Sequence, residues 1–127
     1  MKRFKKLIII LFVVMVITNL SVSTAQAAKA KSKVRSLGTY KITFYCPCRR
    51  CSGRWGTRTA SGRRARAGRT VAVDRRYIKL GTKLRIDGKW YVAEDTGVRG
   101  KHIDIYVSKH SHIPRYGKKY RKIYVRR

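Results

Sequence analysis

Past residue 39, no window of eleven residues keeps a 3.6-residue apolar period, so the sequence offers no place for an amphipathic helix. What recurs instead is a set of short β-prone runs between turn residues. Tyr40, Ile42 and Phe44 alternate with Lys41, Thr43 and Tyr45, the period of two that marks a half-buried strand. Thr70-Val-Ala-Val73, Lys83-Leu-Arg-Ile86, Lys89-Trp-Tyr-Val-Ala93, residues 103–107 and residues 122–125 supply five more. Asp87-Gly88 joins two of them and is a strong hairpin signal, because a type I′ turn needs positive φ at both central residues. Residues 78–82 read as a turn, and 110–117 as a loop with one helical turn. Six short strands divided by turns predict an all-β domain, a small barrel or sandwich. Residues 46–68 interrupt the pattern with arginines, glycines and almost no aliphatics. They read as one long loop, and loops this long in compact domains tend to carry function.

The first 27 residues have the layout of a secretory signal peptide. Lys2, Arg3, Lys5 and Lys6 precede eleven unbroken apolar residues, 7–17, and Ala25-Gln26-Ala27 supplies a small-residue cleavage site. The rival reading is a membrane anchor, but eleven residues of helix cover only about half of a ~30 Å hydrocarbon core. Residues 28–38, mainly Ala, Lys, Ser and Gly, read as a flexible basic linker. Residues 39–127 then form one small domain.

Charge limits the partners. The chain has 33 lysines and arginines against five acids, a formal net charge of +28, and loss of the leader's four basic residues leaves +24. Such a surface is drawn to polyanions. For a secreted protein these are anionic wall polymers, peptidoglycan carboxylates or acidic lipid. Aromatic residues at stacking intervals, which single-stranded nucleic acid would need, are missing, so no specific nucleic-acid partner is expected.

Against that background the carboxylates stand out, because three of the five, Asp74, Asp95 and Asp104, lie in or at the ends of apolar strand-like runs. An ionised carboxylate is costly to bury unless a partner or a function retains it. The local sequences are more specific still. Ala72-Val-Asp74, Ile78-Lys-Leu-Gly-Thr82, Ala93-Glu-Asp-Thr-Gly97, Val98-Arg-Gly100 and Ile103-Asp-Ile-Tyr106 follow one another in 35 residues. Together they resemble the three-aspartate (3D) domain family, and Thr59-Ala-Ser-Gly62 resembles its loop motif.

The resemblance covers residues 40–125 and implies a six-stranded double-psi β-barrel carrying the long Cys/Arg/Gly-rich loop. It also implies kinship with the membrane-bound lytic transglycosylase A and stationary-phase survival wall enzymes. Such enzymes cleave the β-1,4 bond between N-acetylmuramic acid and N-acetylglucosamine without water, leaving a 1,6-anhydro ring. On that reading Asp104 is the catalytic residue, serving as acid and then as base, with Asp95 and Asp74 supporting it. Thr59, Ser61, Thr96, Gly97 and Arg99 would bind substrate, and Trp55 offers a face for a sugar ring. Arg99 stands where the family usually has Lys. No cofactor is implied, and the protein is expected to be a monomer acting on glycan strands at the cell wall.

Cys46, Cys48 and Cys51 fall within six residues. A disulfide inside the cluster is the expectation. The alternative is zinc bound by the three thiols with a fourth ligand from His102, His110 or His112. The resemblance implies that the cysteines stabilise the loop, and His110 and His112 otherwise read as ordinary surface residues. Asp95-Thr-Gly97 is also the tripeptide of retroviral-type aspartic proteases, but the polar residues 98–102 do not supply the apolar stretch those enzymes need. The non-enzyme alternative is a wall-binding barrel that uses its arginine-rich loop and basic tail to grip anionic polymer.

Overall fold

The turn at Asp87-Gly88 has φ of 47° and 79°, the left-handed pair that the sequence requires there. It joins two of the six strands seen in the computed structural model, which describes residues 33–126. The strands are β1 (Val34–Tyr45), β2 (Thr70–Val73), β3 (Lys83–Ile86), β4 (Lys89–Asp95), β5 (His102–Tyr106) and β6 (Lys119–Arg126). The signal peptide read over residues 1–27 lies outside the described residues, as does the start of the linker. Among the described residues no helix is long and apolar enough to cross a membrane.

The strands form a closed barrel in the order β1-β5-β2-β4-β3-β6, with β6 pairing back to β1. β1 and β5 run parallel, as do β2 and β4, and the remaining pairs are antiparallel. Isoleucine, valine and leucine from five strands and an alanine from β4 fill the centre: Ile42, Val71, Leu84, Ala93, Ile103 and Ile123 are all essentially inaccessible. Each fully buried Val, Leu or Ile contributes about 1.5–3 kcal/mol of transfer free energy.

One boundary differs from the sequence reading. Residues 34–38, expected as linker, form the start of β1, where Val34 pairs with Arg126 and Gly38 with Ile123. Leu37 packs against the core cluster, and the rest of the segment is held by backbone bonds to β6. The 46–69 loop is also partly ordered locally, with one helical turn at Arg49–Ser52 and one 3-10 turn at Gly53–Trp55.

Candidate active site

The period of two in the strands decides which side chains face the core. Ile42, Phe44, Val71, Val73, Ile103 and Ile105 pack in the core cluster. Their neighbours Thr43, Tyr45, Ala72, Asp104 and Tyr106 therefore stand on the outer face of the sheet. Residues 46–69 fold over that face, and Tyr45, Ala65, Ala72 and Tyr106 form a second, small apolar cluster there. Asp104 thus lies on the outside of the barrel wall, beneath a loop.

Simple alternation along β4 would turn Asp95 inward, since Ala93 is already in the core. A bulge prevents it. Val71 pairs with Ala93, but Ala72 pairs with Asp95, so Glu94 is the extra residue. Glu94, only 2% exposed, accepts hydrogen bonds from Thr70 Oγ1 at 2.7 Å and Arg69 Nη2 at 2.8 Å. Burial pushes its carboxyl up, yet Arg69 and Thr70 outweigh that and hold it below its ordinary value. Asp95 is left facing a cleft of about 600 Å3 that it shares with Asp104, Ala72, Tyr45, Thr59 and Trp55.

The two aspartates have different surroundings. Asp104 receives one hydrogen bond, from the Thr43 hydroxyl to Oδ1 at 2.7 Å. Burial pushes its carboxyl up. The Thr43 bond and Lys41 pull the other way, the charge of Asp95 adds to the rise, and the net shift is upward. Thr43 Oγ1 is also 2.7 Å from His102 Nε2. With the hydroxyl proton given to Asp104, that nitrogen is the donor. Burial and then Lys41 lower the His102 pKa, which favours the neutral ring.

Asp95 accepts from three donors. Its Oδ2 accepts from the Tyr45 hydroxyl at 2.8 Å, and Oδ1 accepts from the backbone N–H of Ala60 at 3.0 Å and of Thr96 at 2.9 Å. Burial first, and then the bond to Asp95, push the Tyr45 hydroxyl far above its ordinary pKa, so it remains a donor.

Asp74 sits apart, in an adjoining hollow with Arg75, Arg76 and Val98. It pairs with Arg76 Nη2 at 2.6 Å and accepts from Gly100 N–H at 2.8 Å. The Arg76 side chain first, and the Gly100 N–H next, hold its carboxyl well below the usual carboxylate range. Its observed contacts tie the 96–100 turn to the end of β2.

The remaining residues read from sequence divide. Thr59, Thr96, Gly97 and Trp55 line the cleft, and Trp55 is 58% exposed with the Arg54 guanidinium 5.0 Å from its ring centroid. Ser61 is exposed. Its N–H binds the Glu94 carbonyl at 2.9 Å and its hydroxyl lies 3.0 Å from that of Thr59, so it braces the loop. Arg99 is exposed and does not line the cleft. Trp90 lies on the outer surface, with Arg85 and Arg126 at 5.9 and 5.3 Å from its ring. Thr43, Tyr45, Ala72 and Glu94 carry no site role in the sequence reading, and His102, a candidate zinc ligand there, bonds Thr43 instead. Only the alternation of residues 40–45 hinted that Thr43 and Tyr45 share a face.

The cysteines are free thiols, so the disulfide expected within the cluster is not formed. The parallel pairing of β1 with β5, ending at Tyr45 opposite Tyr106, makes the segments that follow both strands leave the same end of the barrel. One brings Cys46, Cys48 and Cys51, and the other brings His110. The His110 Nδ1 lies 3.6, 3.4 and 3.5 Å from the three sulfurs in that order. His102 is engaged with Thr43 instead. Burial pushes the Cys46 thiol up to about 11, whereas the hydrogen bond from Cys46, foremost, brings Cys48 down to about 6.

This arrangement, with aspartates on β4 and β5 around the middle of β2, is carried by a part of the chain with recognisable relatives. Residues 69–126 match the 3D domain family. All of β2 to β6 and all three aspartates fall inside the 3D domain match. Thr43 and Tyr45 of β1, Thr59 and the cysteine cluster precede it. Three solved structures of the Escherichia coli lytic transglycosylase MltA are similar to the chain. They are 25%, 26% and 26% identical, with TM-scores of 0.48, 0.47 and 0.48. The first is an apo form of an Asp-to-Ala variant. The matches cover 54–55% of this chain and 26–27% of those, so the chain spans about a quarter of their length. No curated protein matches the chain.

Proposed function

We propose that the protein is a secreted, wall-associated lytic transglycosylase that cleaves the β-1,4 MurNAc-GlcNAc bond of peptidoglycan with formation of 1,6-anhydro-MurNAc. The observation that carries this reading is the pairing, in one cleft, of Asp104, whose surroundings favour the neutral acid, with Asp95, a carboxylate held by three donors. The 3D domain match over the same residues supports it. Two parallel strand pairs among antiparallel ones accord with a double-psi barrel, which we propose as the fold type.

In this mechanism Asp104 protonates the glycosidic oxygen as the sugar becomes oxocarbenium-like. The carboxylate so formed removes the proton from the muramyl C6 hydroxyl while that oxygen closes on C1. Asp95 supplies negative charge near the developing cation and holds Tyr45 and the 59–62 loop in place. Trp55 offers an exposed ring to a saccharide, with Thr59, Thr96 and Gly97 around it. Asp74, bound to Arg76 and Gly100, keeps the turn after Asp95 in position.

Purified peptidoglycan incubated with the protein, followed by mass analysis of the soluble muropeptides, tests the reading. Anhydro products from the wild type, falling about 100- to 10,000-fold in rate for Asp104→Asn, are expected. Hydrolysed reducing ends, or equal release by the variant, contradict it.

A second reading has its own observation. Arg49, Arg50, Arg54, Arg58, Arg63, Arg64 and Arg66 are all exposed on the loop that walls the cleft. They suit an anionic wall polymer, and binding through them weakens as salt screens the charges. A purely binding protein keeps its function in Asp104→Asn.

A further inference from the structure

We propose that Cys46, Cys48, Cys51 and His110 form a structural zinc site that pins the cleft-covering loop to the end of the barrel. The four ligand atoms lie within 4.8 Å of one another. With Zn–S near 2.3 Å and Zn–N near 2.0–2.1 Å, a tetrahedral site places a histidine nitrogen about 3.6 Å from each sulfur. The observed separations are 3.6, 3.4 and 3.5 Å. One nitrogen equidistant from three sulfurs is the disposition of a shared centre, and a disulfide has no use for it. Cys46 and Cys48 are 3.2 Å apart, closer than the ~3.8 Å edge of such a tetrahedron, and a small opening of the Cys46-Pro-Cys48 turn accommodates the ion.

The donor set and its setting agree with zinc. Three thiolates and one neutral imidazole give four ligands and leave no open position, the composition of a structural site. The centre carries a net charge of −1, and Arg49 and Arg50 lie in the same turn of a strongly basic chain. The ligands come from the ends of β1 and β5, 59 to 64 residues apart in sequence, so the ion closes a long loop that backbone bonds hold only at intervals. Cys51 and Ser52 line the cleft, as does Trp55. The metal therefore sets the position of the cleft's outer wall. Its role is independent of which polymer the cleft takes.

The full chain, purified without reductant or chelator, tests the site by its metal content and by cobalt(II) substitution. One zinc per chain is expected, with three thiols that react with a thiol reagent only after unfolding in chelator. Cobalt(II) should give thiolate charge-transfer bands and the visible bands of a tetrahedral ion. His110→Ala should weaken zinc binding by more than about 100-fold, since even partners beyond the ligands are worth about 10–100-fold. His112→Ala should bind as the wild type does. Both histidines are outside the barrel core, so circular dichroism should show both variants folded. Amide exchange in residues 46–58 should quicken on chelation while that of β2 and β5 stays unchanged. A disulfide among the cysteines of the isolated protein overturns the proposal. So do three reactive thiols without cobalt bands, or unchanged zinc affinity in His110→Ala.

Discussion

Asp95 and Asp104 share a register partner: Ala72 lies opposite Asp95 across the parallel β2–β4 pair and opposite Asp104 across the antiparallel β2–β5 pair. Two strand spacings put their Cα atoms roughly 10 Å apart, with Ala72 on the strand between them. The cleft exists because that side chain is small and because the β4 bulge turns Asp95 to the same side as Asp104.

Ala72→Leu fills that gap. A larger side chain in a packed site costs about 1–3 kcal/mol, and Ala72 is 3% exposed among Tyr45, Ala65 and Tyr106. The expected result is a folded protein with a modestly lower Tm and a kcat/KM on peptidoglycan reduced by at least about 10-fold. Activity equal to wild type shows that substrate does not pass between the two aspartates.

Asp104→Asn separates stability from activity. Because the folded pKa of Asp104 is raised, its contribution to stability is fully present below the unfolded value of about 3.9 and is lost as pH rises through the folded value. The amide keeps an acceptor for Thr43 and removes the buried charge. The variant should melt above the wild type at pH 7, and the gap should close as pH approaches about 4. Thermal melts across pH decide it, and a variant less stable than wild type at pH 7 contradicts the burial argument.

Thr43→Val tests the hydrogen bond that opposes the raised pKa. Removing that donor leaves burial and the charge of Asp95 less opposed, so the Asp104 pKa rises further. The alkaline limb of the pH–rate profile, where the acid is lost, should move to higher pH. A shift to lower pH assigns the controlling group elsewhere.

Asp74→Asn acts with the opposite sign. A depressed native pKa gives stability above the unfolded value, lost as pH falls through the native value. The variant loses the Arg76 ion pair and weakens the tie to Gly100. It should melt below the wild type at neutral pH and show a flatter decline in acid. Equal melting curves at both pH values show that Asp74 does not hold the turn.

The sequence showed the strands and not the way they meet. The Asp87-Gly88 hairpin was legible because both residues must take positive φ, and the core was legible because its Val and Ile recur at period two. The start of β1 was hidden, since among residues 34–38 only Leu37 packs against the core and the rest are ordered by backbone pairing with β6. The bulge at Glu94 was also invisible, because alternation alone turns Asp95 inward. His110 was one of three histidines that could complete a zinc site and otherwise read as an ordinary loop residue. What gives it three sulfur neighbours is the parallel return of β5 beside β1, and no local pattern records a contact spanning some 60 residues.

Residue-resolved NMR titration of the aspartate side-chain carboxyl carbons bears most directly on the acid–base assignment. Asp104 should titrate above an ordinary aspartate and Asp74 well below one, with Asp104 rising further when glycan fragments fill the cleft. An Asp104 carboxyl that titrates at or below the ordinary aspartate value, with fragments bound, contradicts its role as the proton donor.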